Sequence, residues 1–439
     1  MLIYKNPRLI IEPIDAEYYA CVNPLIKNGM KIITSIQKNI LDLFDKNIDF
    51  NELCKLTGYE EEKIKKYIEI LASKNILNTS GMFEHEKRSK NPKSLNLRIH
   101  TTDKCNLRCT YCYIKTKKTF EDMNDDTIDV LLDNIIETVK INGLKTVTLM
   151  MSGGEPTILF QKRENKILQL KKNLECVDCK LRISFLTNGT IINDDQIEYI
   201  KKNGFGLAIS LDGIGKYHDK NRVYINGKGS FGQVSEKINR IIEKGLKPNI
   251  MTVVSNDNLD GLVELTEFLI SKNLPFRYSF VQGAEIDQQK LLEVMLQCYE
   301  IIDKAIENGY KFSQLHRLCD LKFLNPYFQT CICGFSGGAI YLDGGVHFCH
   351  VKFGEKENNG NIRENKDILN LISKGKNNLS DLSEDCKNCN HEYICTGGCP
   401  IERKDGKDPH CEIYKVLIPK VYQLMGKERL LKILSSNGQ

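Results

Sequence analysis

The chain is 439 residues long, more than one hydrophobic core usually organises, so two or three domains are expected. Its 41% hydrophobic and 27% charged residues exclude a disordered chain. No apolar run reaches about 18 residues, and the start MLIYKNPRLIIEPIDAEYY has no apolar stretch behind basic residues, so no membrane partner and a cytoplasmic location are expected. A net charge of +5, from 62 basic and 57 acidic residues, is too mild and dispersed for a nucleic-acid footprint, and no DNA partner is expected.

Residues 1–85 start extended and continue through ITSIQKNILDLFDK, FNELCKLTG and EEEKIKKYIEILASKNILN, each with apolar residues at i, i+3, i+4 spacing. Three short helices after strands predict a winged-helix-like domain, closed by NTSG and the polar linker EHEKRSKNPKS. Over 95–310 strand-like runs alternate with amphipathic ones: LNLRIHTT, TIDVLLDNIIETVKIN, KTVTLMMS, NKILQLKKNL, LRISFLTN, DDQIEYIKKN, GLAISLDG, VSEKINRIIEKG, NIMTVVSN, LDGLVELTEFLISK and FRYSFVQG. This rhythm predicts an α/β fold, a parallel sheet curved into a partial (β/α)6 TIM barrel with its functional loops at the strands' C-terminal ends. A helical stretch near 286–309 ends that region. Residues 315–415 are rich in Cys, Gly and Asn and poor in long periodic segments, as expected where metal holds a domain together. Residues 416–439 carry most of a final helix, EIYKVLIPKVYQLMGKERLLKIL.

Seventeen cysteines without a secretory signal belong in a reducing compartment, where thiols ligate metal rather than pair. Ten of them fall into two groups, three between 105 and 112 and seven between 331 and 399. In TTDKCNLRCTYCYIK the spacing is C-x3-C-x2-C (Cys105, Cys109, Cys112), with Tyr111 before the last cysteine, directly after the first strand of the βα region. Three thiolates on a four-iron cluster leave one iron open to a chelating ligand. A zinc knuckle or three core thiols would also account for three cysteines taken alone. SGGEP (Ser152, Gly153, Gly154, Glu155, Pro156) ends the second strand, placing two residues without side chains and a carboxylate where backbone approaches a ligand. LTNGT (Asn188), SLDG (Ser210, Asp212) and HDKNR (His218, Asp219, Arg222) follow at later strand ends.

Together these motifs resemble the radical SAM family. The resemblance implies a [4Fe-4S] cluster on Cys105, Cys109 and Cys112 whose open iron binds S-adenosylmethionine (SAM). An electron from a donor such as ferredoxin or flavodoxin then cleaves SAM to a 5'-deoxyadenosyl radical that abstracts hydrogen from the substrate. It assigns Tyr111, Ser152, Gly153, Gly154, Glu155 and Asn188 to the SAM side, Glu155 toward the ammonium, with Ser210 and Arg222 toward the carboxylate.

The later array, Cys333-x10-Gly344-x4-Cys349, then Cys386-x2-Cys389-x5-Cys395-x3-Cys399 and Cys411, is similar to the SPASM domain of radical SAM peptide and protein modifiers. That likeness implies two auxiliary [4Fe-4S] clusters, three in all: an outer one on Cys386, Cys389, Cys395 and Cys411, and an inner one on Cys333, Cys349 and Cys399. Cys331, Cys319 and an open iron are the alternatives for the inner cluster's fourth ligand. His350, after Cys349, stands where sulfatase-maturing relatives carry a carboxylate base; it either accepts a proton as a catalytic residue or hydrogen-bonds a cluster sulfur. Cys176 and Cys179 form a lone C-x2-C on a surface loop, while Cys21, Cys54 and Cys298 read as small buried hydrophobes.

The leading domain resembles the peptide-recognition element of enzymes that modify ribosomally made peptides, with NPLIKNG before its first helix. The expected partner is a precursor peptide whose leader adds to a sheet edge. The expected activity is thioether cross-linking of that peptide. The alternatives are formylglycine formation in a larger protein, carbon-carbon cross-linking and, outside enzymes, an iron-sulfur DNA-binding regulator.

Overall fold

Polar caps and apolar periodicity set the leading elements. The computed structural model describes residues 2–46, 48–83, 91–114, 120–311, 318–319, 321–324, 329, 331–353, 358–375 and 382–437. The expected linker lies largely outside these, at 84–90. Strand β1 (Tyr4–Lys5) is followed by β2 (Ile10–Pro13), β3 (Tyr18–Val22) and β4 (Met30–Thr34), then α1 (Ser35–Leu43), α2 (Phe50–Thr57), α3 (Glu61–Ala72) and β5 (Leu77–Asn78). Thr34 caps α1 through a reciprocal box with Gln37, and Asp49 caps α2, each worth about 1 kcal/mol. Strands β2, β3 and β4 form an antiparallel sheet in that order, and β1 pairs with β5. Cys21, Ile33, Leu41, Phe44, Leu53, Ile64 and Leu71 pack into one core. Cys21 is thus the small buried hydrophobe expected, its thiol pushed up to about 12 by burial.

The βα region begins with β6 (Ser94–His100) and α4 (Asp125–Asn142). It continues with β7 (Thr146–Ser152), α5 (Phe160–Glu175), β8 (Lys180–Thr187), α6 (Asp194–Lys202) and β9 (Gly206–Ser210). A short α7 (Lys216–Asp219), α8 (Phe231–Glu243), β10 (Asn249–Val254), α9 (Leu262–Ser271) and β11 (Phe276–Phe280) complete it. Strands β6 to β11 pair in parallel and in sequence order. Period-two burial sorts each strand: Leu95, Leu97 and Ile99 face the helices, while Asn96 and Arg98 line the opposite face with Thr148 and Met150.

After α10 (Gln288–Glu307), the Cys-rich segment supplies more regular structure than its composition predicts. Strands β12 (Gly337–Ile340) and β13 (Val346–His347) extend the same sheet, β12 lying parallel to β6 with Ala339 opposite Arg98. Helix α11 (Ile368–Lys374) packs on α4, where Thr138 Oγ1 donates to Lys366 O at 3.1 Å and accepts from Ile368 N at 2.9 Å. Two short helices, α12 (Glu384–Lys387) and α13 (Glu392–Cys395), precede the long α14 (Cys411–Asn437). Helix α14 packs on α10 and β3, with Gly426 against Ala20 and Ile14.

Contacts gather the chain into two units: 1–88 with 288–330 and 379–439, and 89–287 with 331–378. Residues 331–353, expected in one module with the last cysteines, belong with the parallel sheet. No helix among the described residues is long and apolar enough to cross a membrane.

Candidate active site

The first cysteine loop leaves the C-terminal end of β6 and is held on both flanks by backbone. Thr101 N donates to Ser152 O at 2.9 Å, Gly154 N to Thr102 O at 2.5 Å and Glu155 N to Lys104 O at 2.7 Å. On the far side Arg108 N reaches Val223 O at 2.8 Å and Thr110 N reaches Asn221 O at 3.0 Å. The two glycines of SGGEP therefore serve this loop directly. A Cβ on Gly154 would stand 2.2 Å from Lys104 O, and one on Gly153 2.6 Å from Thr102 O. Gly154→Ala must displace the backbone of Asp103 and Lys104, just ahead of Cys105, an overpacking cost of about 1–3 kcal/mol. A lower thermal midpoint and reduced iron uptake by the variant are the expected results.

Glu155 is fully buried and acts as a clasp between strand ends. Its Oε1 accepts from Thr157 N at 3.1 Å, Thr157 Oγ1 at 2.6 Å and Thr187 Oγ1 at 2.6 Å, and its Oε2 from Asn188 N at 2.7 Å. Burial lifts this carboxyl above the usual range, against the pull of those donors. Both oxygens thus already accept from the protein's own donors. Asn188 Nδ2 donates to Asn106 Oδ1 at 2.9 Å and approaches Cys105 Sγ at 3.8 Å, so the third strand end steers the cysteine loop.

At the fourth strand end Asp212 collects three donors: Arg222 Nε at 2.8 Å, Val253 N at 3.0 Å and the Tyr111 hydroxyl. Arg222 lies over the Tyr111 ring, 5.4 Å from its centroid, and its Nη1 is 3.8 Å from Cys109 Sγ. Burial pushes the Cys109 thiol up to about 11, against the pull of Arg222. Ser210 is buried at the end of β9. His218 is buried as well, accepting from Asp212 N at 3.2 Å on Nδ1 and meeting Ser230 Oγ at 3.0 Å on Nε2; burial lowers it to about 4.

Cys105, Cys109 and Cys112 are half-buried thiols, a donor set suited to an iron-sulfur cluster. Among the described residues no three Cys, His, Asp or Glu side chains gather as closely as a single metal ion requires, whereas a cluster of several irons asks for thiolates set further apart. In the same unit Cys333 hydrogen-bonds both Cys331 and Cys349, and Cys333 N donates to Cys331 Sγ at 3.5 Å. This brings Cys331 together with two of the expected inner ligands; the third, Cys399, belongs to the other unit. Cys349 is held low by its bond with Cys333, against burial, and further by His350. In the other unit Cys395 is pushed up by burial and then by Asp408, Cys411 and Cys386, three of the four expected outer ligands thus lying near one another. Cys389 N donates to Cys386 O at 3.3 Å. Gly398 in the turn before Cys399 has φ +73, and a Cβ there would meet Asp408 Oδ2 at 1.9 Å. Cys399 N donates to Asp408 Oδ2 at 3.0 Å, and Cys319 hydrogen-bonds Tyr414. Cys176 is exposed and Cys179 buried.

Two groups carry no motif that sequence reading could use. Arg98 projects from mid-β6, and His100 pairs with Asp103 at 2.6 Å while Tyr341 donates to Asp103 Oδ2 at 3.0 Å. Only the alternation of β6, which puts Arg98 and His100 on the face away from the helices, pointed at them.

The model of the Radical SAM superfamily matches residues 99–269. Those residues form a radical SAM domain. A cysteine-type anaerobic sulfatase-maturating enzyme of Clostridium novyi (strain NT) is 27% identical over 369 residues, 75% of this chain and 95% of that protein. The structure of native anSMEcpe with bound AdoMet aligns at TM-score 0.62 and 20% identity, over 77% of this chain and 100% of that one. Streptococcus suis SuiB bound to precursor peptide SuiA aligns at TM-score 0.53 and 16% identity, over 94% and 100%. At these identities the two structures establish a shared fold. The chain is an enzyme whose radical SAM domain implies SAM and a [4Fe-4S] cluster.

Proposed function

We propose that this enzyme cleaves SAM reductively and modifies a peptide, forming a thioether from a cysteine sulfur to a carbon of the same peptide. The observation that carries the reading is the Cys105–Cys109–Cys112 loop, fixed at the sheet's C-terminal edge between SGGEP and the Asp212–Arg222 pair. With cluster and SAM bound, the chemistry supplied is generation of a 5'-deoxyadenosyl radical, and a low-potential donor such as ferredoxin or flavodoxin furnishes the electron. The protein's part is placement. Asn188 and Arg222 hold two of the thiols from opposite flanks, and backbone of the SGGEP turn seats the loop.

The auxiliary reading places one cluster at Cys333 and Cys349 with Cys331 beside them and another on Cys386, Cys389, Cys395 and Cys411; the hydrogen bonds of Cys333 with Cys331 and with Cys349 support the first. The leading sheet, with β2 and β4 as its edges and three helices following it, supports recognition of an extended leader by strand addition. SuiB, crystallised with its precursor peptide, aligns over nearly the whole chain, which supports a peptide substrate. The sulfatase-maturating relative favours a second reading, oxidation of a protein cysteine to formylglycine.

Anaerobic incubation of reduced enzyme with SAM and a candidate cysteine-containing peptide separates the two. A product lighter by two hydrogens with its sulfur retained supports the thioether. Loss of the sulfur with gain of an aldehyde supports formylglycine, and absence of 5'-deoxyadenosine overturns both.

A further inference from the structure

Arg8 reaches from the leading domain to the turn that carries Cys389, within one unit of the fold. Its Nη1 donates to Cys389 O at 2.7 Å and its Nη2 lies 3.5 Å from Glu392 Oε2. The same carbonyl accepts from Glu392 N at 3.0 Å, and His391 N donates to Cys389 Sγ at 3.4 Å. Helices α12 and α13, four residues each, are too short to keep a shape by their own hydrogen bonds. A charge-assisted bond from outside therefore weighs heavily on the peptide plane that aims Cys389. The base of Arg8 is itself fixed. Arg8 N donates to Asn6 Oδ1 at 2.9 Å, and the fully buried Asn6 donates through Nδ2 to Asn23 Oδ1 at 3.2 Å. Asn23, the first residue of NPLIKNG, donates in turn to Lys74 O at 3.0 Å and Asn75 O at 2.9 Å. The motif thus anchors the turn from which Arg8 extends.

We propose that Arg8 is a positioning residue for the outer cluster, through which the leading domain holds the Cys389 turn in the conformation that receives iron. The inference rests on the reading of Cys386, Cys389, Cys395 and Cys411 as ligands of one cluster. Iron that enters a turn already in place does not have to order it, so uptake at this site depends on a side chain 381 positions away in the chain. The leading domain is then part of the redox module as well as a peptide reader.

The test uses full-length protein in a Cys105→Ala, Cys109→Ala, Cys112→Ala background, reconstituted with iron and sulfide. Only auxiliary clusters then contribute to the iron count and to electron paramagnetic resonance after reduction. Arg8→Met keeps the apolar stem and loses the donors; it is expected to lose one cluster's share of the iron together with that cluster's resonance. Arg8→Lys, whose ammonium can donate to the same carbonyl, restores both. Glu392→Gln removes the ion pair, leaves the carbonyl bond and keeps both. The thermal midpoint of the iron-free Arg8→Met protein should stay near that of its parent, because Arg8 is partly exposed. Full iron and an unchanged resonance in Arg8→Met would overturn the proposal, as would a fall in the iron-free midpoint large enough to account for the missing iron. Cys389→Ala separates the two levels. If it keeps both resonances, the ligand reading fails and the proposal with it; if it loses one while Arg8→Met keeps both, the proposal alone fails.

Discussion

Cys109→Ala should give a folded protein that takes up less iron on reconstitution and forms no 5'-deoxyadenosine from SAM under reducing conditions. Cys109 sits between the other two thiols in the loop, and its sulfur is the one Arg222 approaches, at 3.8 Å. Removing it leaves two thiolates, too few to hold a cluster with one open iron. The deletion itself is mild, since a half-buried thiol becomes a methyl group and the loop's backbone bonds to Val223 and Asn221 do not involve the side chain. The loss of activity is therefore expected to be complete while the thermal midpoint of the iron-free protein barely moves. Cys176→Ala, an exposed thiol on another loop, is the control and should retain both iron and turnover. Equal 5'-deoxyadenosine from the Cys109 variant and the parent would remove the SAM reading.

Asp212→Ala is the second large effect, and it acts on the fold. Asp212 is fully buried and accepts from Arg222, Val253 and Tyr111 at once. Its removal strands the buried Arg222 charge, which typically costs about 3–5 kcal/mol. The double variant Asp212→Ala with Arg222→Met removes the charge together with its partner, and should recover much of the stability. Calorimetric midpoints of the iron-free proteins measure both. A double variant as unstable as the single one would show that Asp212 matters through Val253 and Tyr111 instead of through the ion pair.

Much of this arrangement is legible in the chain because its signals are local. Six apolar runs alternating with amphipathic ones place β6 to β11, and the C-x3-C-x2-C, SGGEP and SLDG segments all fall at strand ends. What escapes sequence reading depends on partners far apart in the chain. No local pattern announces that Lys104 stands against Gly154, or that Thr187 and Asn188 donate to Glu155. Arg98 belongs to no motif, and the ring beside it, His350, comes 252 positions later. Strand β12, Gly-Gly-Ala-Ile, is too short and glycine-rich to announce itself by periodicity.

That short strand also bears on the order in which the protein can be made. β6 is the first strand of the parallel sheet to leave the ribosome, yet one of its two neighbours, β12, comes 240 residues behind it, Asn96 pairing beside Ser336. During synthesis the edge of β6 stays open after the other five strands have emerged, a template for unwanted strand pairing. The cysteine loop grows from the end of that exposed strand. The late-arriving hairpin therefore closes the sheet's vulnerable edge and brings Cys349 to the same strand in one event, so the segment that completes the fold is also the one that delivers this thiol.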